Sequence, residues 1–157
     1  MPNVIQFCNG LSLYAADSPD AQGNIIVFAN DVQNPQNPPN DLYKFTPYRV
    51  DCPEWFPGRQ SPQRLGYSLA MYSPHYSGFW SPGNHEETTT AVTIVRCSLA
   101  EAPVFTFLGD DDDAGYVVII CQTNNKFLRC KIDSNGNMFF SVDGNYSLDE
   151  SFLVYEV

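Results

Sequence analysis

Between Tyr72 and Glu86 the chain reads YSPHYSGFWSPGNHE, which gathers both of its histidines, one of its two tryptophans and two of its tyrosines. Aromatic faces stack on the C–H surfaces of sugars, while Asn, His and carboxylate side chains bond the hydroxyls. Tyr72, His75, Tyr76, Trp80, Asn84 and His85 are therefore the candidate ligand-binding residues, suited to a shallow carbohydrate site. The plainer alternative makes them core and turn residues. Catalysis would need a nucleophile with a base in reach and a third orienting group. Either histidine could serve a Ser or Cys in space, but no nucleophile elbow or phosphate loop is present. A non-enzymatic protein without catalytic residues or cofactor is expected.

Three other segments invite a chemical reading. Cys52 to Pro62 holds Glu54, Trp55, Phe56 and Arg59 between prolines. Its large aromatics either plug an opening in the fold or form a protein-contact loop, since Trp and Arg dominate interface hot spots. Asn34 to Asn40, NPQNPPN, reads as a stiff surface excursion, because proline presets an extended path and lacks an N–H. Asp110 to Asp113 is an unbroken acidic run. Calcium loops alternate their ligands so that the side chains converge, so a solvated acidic turn is expected here.

These segments hang on a repeated strand pattern. The last unit has apolar Val117–Cys121, a turn, Lys126–Cys130, an Asn135-Gly136 hairpin turn, Met138–Val142, and a closing strand around Phe152. The first unit matches with Val4–Cys8, Leu11–Tyr14, Ile25–Phe28 and a closing stretch around Phe45, with Cys8 set against Cys121. The middle unit matches with Tyr67–Met71, Gly78–Trp80, Ala91–Val95 and Val104–Leu108. Phe79 or Trp80 must then fill the core slot of Phe127 and Leu128, leaving the other free to face outward. A propeller needs at least about four blades, whereas this chain has room for three units. The expectation is an all-β fold, a β-trefoil of three four-stranded repeats (about 4–50, 65–109 and 115–157) in one domain spanning 1–157.

The third unit resembles a repeat of the fascin-type β-trefoil through Asn125-Lys126-Phe127-Leu128, Asn135-Gly136 and Glu150-Ser151-Phe152. It departs from that pattern in having Asn125 for a glycine and Asp149 for a tryptophan. The resemblance implies a trefoil fold and, as one functional class, a cytoskeletal or scaffold role. The Gln-x-Trp signature of ricin-type lectins is absent.

Composition narrows the partners. The net charge is −10, with only eight Lys and Arg, so nucleic acid and anionic membrane surfaces are disfavoured. The same charge counts against an acidic filament. No stretch is long enough to span a membrane, and no basic-then-apolar leader precedes the first strand. A cytoplasmic protein, or one secreted without a leader visible in this sequence, is expected. The five cysteines form no Cys-x-x-Cys pair and do not combine with the histidines at zinc-like spacing. Most read as reduced core residues, with Cys52 the most exposed, and no metal site is expected. The leading function is lectin-like binding of carbohydrate or glycoprotein. The alternatives are a trefoil-type protease inhibitor using a proline-rich loop and a fascin-like scaffold.

Overall fold

β-branched and aromatic residues are frequent in the strands, and Gly or Asn occupies five of the seven positive-φ positions among the described residues. A computed structural model describes residues 2–50, 66–109 and 115–157. It places twelve strands in them: β1 Asn3–Phe7, β2 Ser12–Ala15, β3 Ile25–Asn30, β4 Thr46–Arg49, β5 Gly66–Ser73, β6 Gly78–His85, β7 Thr88–Val95, β8 Phe105–Gly109, β9 Val117–Cys121, β10 Lys126–Ile132, β11 Met138–Gly144 and β12 Phe152–Glu156. Short 3₁₀ turns, Asp41–Tyr43 and Leu148–Glu150, lead into β4 and β12. The predicted acidic turn at 110–113 lies outside the described residues.

Six strands close a ring. β1 pairs with β12, β12 with β9, β9 with β8, β8 with β5 and β5 with β4, and a bridge from Phe45 to Asn3 returns to β1. The other six form the hairpins β2–β3, β6–β7 and β10–β11, whose second strands pair with one another. This is a β-trefoil: a barrel capped by three hairpins.

Corresponding pairs show the threefold repeat residue by residue. Asn3 faces Phe45, Leu69 faces Phe105 and Val117 faces Phe152. The three phenylalanines are fully buried in one core with Leu13, Trp80 and Leu128. The continuous apolar run of β9 is explained by burial on both faces. Ile119 and Cys121 point into the barrel, while Val118 and Ile120 pack outside it with Leu108 and Phe127.

One detail of the expected alignment shifts. Phe7 pairs with Phe152 as Cys121 pairs with Phe105, so Cys121 corresponds to Phe7 rather than to Cys8. Cys8 is instead the first residue of the turn after β1 and is exposed. Among the described cysteines, all free thiols, only Cys121 is a buried core residue; Cys97 and Cys130 are half-buried. Asn125, which departs from the fascin-type glycine, has φ 58°. Asn tolerates that left-handed conformation better than other residues with a Cβ.

Candidate functional site

The three hairpin tips meet over the closed end of the cap. Beneath them Ile26, Ala91 and Phe139, one from each unit, form a small cluster with Phe28. Six residues before each stands a tip residue: Asp20, His85 and Asp133. The first and third tips share the sequence Asp-x-x-Gly-Asn. Asp20 Oδ1 accepts the N–H groups of Gln22 and Asn24, both at 3.0 Å. Asp133 Oδ1 accepts those of Asn135 and Asn137, at 3.0 and 2.9 Å. Gly23 and Gly136 carry the positive φ these turns need.

Each aspartate therefore has its second oxygen free to face the axis, and His85 takes both. Its Nδ1 lies 2.9 Å from Asp20 Oδ2 and its Nε2 lies 3.0 Å from Asp133 Oδ2. The ring is buried and packs edge-on against Phe28 and Phe139. Burial opposes its charge, but hydrogen bonds and attraction from the two carboxylates outweigh burial and raise its pKa above the ordinary value. Burial likewise pushes Asp20 and Asp133 up, but His85 and the backbone N–H groups outweigh it and hold both below the usual carboxylate range. Next to His85, Glu86 accepts the Ser134 N–H at 2.7 and 3.0 Å, tying the second tip to the third.

Ligand atoms of His85, Glu86 and Asp133 all lie within 4.8 Å of one another. A metal would need a lone pair from neutral imidazole. Here both ring nitrogens are held by carboxylates that favour the protonated ring, which suits clasping the tips together. The same occupancy leaves His85 poorly placed to act as a base.

Beside the clasp lies a hollow of about 470 Å³. Tyr14 and Phe28 form its aromatic wall, and Asp17, Asp20, Gln22, Glu86, Asn135 and Asn137 supply polar groups. Glu86, Asp133 and Ser134 also border a second hollow of about 480 Å³ that reaches Glu87, Lys131, Ile132 and Phe139.

The residues predicted from sequence are divided by this geometry. Asn84 and His85 lie at the hairpin-tip end of β6, with the Asn84 carbonyl accepting Asn24 Nδ2 at 3.0 Å. Tyr72, His75 and Tyr76 lie around the turn at its other end. Tyr72 wedges against Phe79 and Tyr48. Tyr76 donates its hydroxyl to the Ala16 carbonyl and stacks edge-on with the exposed His75. Trp80 is fully buried, with its ring against Phe45 and Phe105, so it has no face to offer a ligand. Phe79 does not face solvent either; it packs outside the barrel with Ala70 and Ala102. Glu54, Trp55, Phe56 and Arg59, together with Cys52, lie outside the described residues. Asp20 and Asp133 were missed. Their signal was the shared Asp-x-x-Gly-Asn, set at one distance ahead of Ile26 and Phe139.

Comparison with solved structures agrees on the architecture. A Caenorhabditis elegans protein of unknown function superposes with TM-score 0.65 at 11% identity, covering 99% of this chain and 93% of that one. An SDF2-like protein from Arabidopsis thaliana gives 0.64 at 10%, covering 99% and 92%. The designed threefold-symmetric protein ThreeFoil gives 0.62 at 9%, covering 99% of each chain. These likenesses are likenesses of fold. No family model matches the chain, and no curated protein matches it in sequence. No helix among the described residues is long and apolar enough to cross a membrane.

Proposed function

We propose that this protein is a non-enzymatic binding protein whose ligand is a carbohydrate, seated in the hollow at the hairpin cap. The observation that carries the reading is an aromatic wall of Tyr14 and Phe28 facing polar groups on turns whose backbone is already pinned. Such a site spends little ordering free energy on binding, and its volume falls in the range of small-ligand pockets. The site differs from the aromatic segment of unit two, because Trp80 serves the core. A glycan array probed with the protein and with an Asp17→Ala/Asn135→Ala variant tests this reading. Binding lost in the variant supports it, and a blank array overturns it.

Protease inhibition is a second reading, favoured by the Asn34 to Asn40 loop. Asn34 Oδ1 accepts the Gln36 N–H at 3.0 Å and Asn40 Oδ1 accepts the Leu42 N–H at 2.9 Å, so both ends are pinned. Loss of protease activity at near-equal molar ratio would favour it. The fascin-like scaffold reading draws less support, because the residues behind that resemblance hold the fold. Leu128 and Phe152 are core, and Glu150 Oε2 accepts the Cys130 N–H at 3.0 Å.

A further inference from the structure

We infer that the carbohydrate taken by this cap is an amino sugar bound as an oligomer, its ammonium groups lying against Asp17 and Glu87. This rests on the carbohydrate reading above and deepens it.

The cavities and their apolar walls define the site; the charges decide which sugars fit it. Among the described residues no Lys or Arg lines the first hollow, whereas Asp17, Asp20, Glu86 and Asp133 do. The one basic group among those described residues, His85, is already held between Asp20 and Asp133. In the second hollow the basic group is Lys131, whose Nζ lies 3.2 Å from Asp143. An anionic ligand would therefore meet uncompensated carboxylates on both sides, in a chain of net charge −10.

The acids are not equivalent. Asp20 and Asp133 are committed to His85, and Glu86 to the Ser134 backbone. Asp17 in the first hollow and Glu87 in the second have no ion pair or side-chain hydrogen bond among the described residues. Each hollow thus offers one carboxylate without a cation beside apolar surface: Tyr14 and Phe28 in the first, Ile132 and Phe139 in the second. The hollows share Glu86, Asp133 and Ser134 as a common ridge. A ligand longer than one ring can cross that ridge and place a charged amine on each side. A hydrogen bond to a charged group is worth more than a neutral one, so the free amine is preferred over its acetamide.

Calorimetric titration of the full chain with a glucosamine trimer and with an N-acetylglucosamine trimer, in mildly acidic buffer, tests this. The expected result is binding of the amine trimer at least about tenfold tighter than its acetylated counterpart. That preference should shrink in high salt and in an Asp17→Asn/Glu87→Gln variant, both substitutions being at exposed positions outside the clasp. Equal binding of the two trimers, or tighter binding of the acetylated one, overturns the charge inference while leaving the carbohydrate reading intact. Binding of neither trimer, with a glycan array that binds other sugars, also overturns it. A blank array removes both.

Discussion

His85 Nε2 stands 3.0 Å from Asp133 Oδ2, across the pseudo-threefold axis and 48 residues away in sequence. With Asp20 on its other nitrogen, it replaces the third carboxylate that strict repetition would put at this point. Three carboxylates meeting there would repel one another; two flanking an imidazolium attract. His85→Ala leaves Asp20 and Asp133 facing each other with no cation, at a cost of about 3 kcal/mol. Urea denaturation at neutral pH measures it. A change below about 0.5 kcal/mol would mean the clasp contributes nothing to the fold.

The clasp predicts a stability window in pH. The folded pKa of His85 is raised, so its contribution is complete below the unfolded value of about 6.5 and is lost as pH rises through the folded value. The folded pKa values of Asp20 and Asp133 are lowered, so their contribution is present above about 3.9 and is lost as pH falls through the folded values. Melting temperature should therefore fall as pH rises from about 6.5 through the raised His85 pKa, and His85→Ala should flatten that limb. An unchanged alkaline limb in the variant would show that another group sets it.

Phe45, Phe105 and Phe152 are threefold equivalents and are fully buried. Phe45→Ala and Phe152→Ala should each cost about 3–5 kcal/mol, read as a shift in denaturation midpoint. Trp80→Ala belongs with them. Its loss should lower the melting temperature whether or not a ligand is present, as expected of a core residue. A variant that melts like the parent would remove that residue from the core.

At Asn125 the backbone has φ 58°. Asn125→Gly should be neutral or slightly stabilising, whereas Asn125→Ala should cost about 1–2 kcal/mol. Equal stability of the two variants would place that turn in a different conformation.

Strand identity and order were legible in the sequence because they depend on local chemistry. β-branched and aromatic runs favour extended backbone, and Asn-Gly or Gly-Asn pairs turn it. Counting three such units was enough to reach the trefoil and to align Phe45 with Phe152. The Cys8 alignment was off by one residue, since the lengths of connections shift register without changing strand composition.

Side-chain alternation put Phe79 and Trp80 on opposite faces of β6, but not which face would be covered, or by what. Tertiary packing decided that. Phe45 and Phe105 enclose Trp80, while Tyr48 and Tyr72 flank Phe79, so both Phe79 and Trp80 are buried. The cap was likewise set only in three dimensions. Asp20, His85 and Asp133 are separated by 65 and 48 residues and meet because each tips a hairpin around one axis. What the sequence by itself determined is therefore the repeat and its turns, which are set by neighbours in the chain. What only the tertiary structure decided is which polar groups converge, because convergence depends on how three separate units close around a common axis.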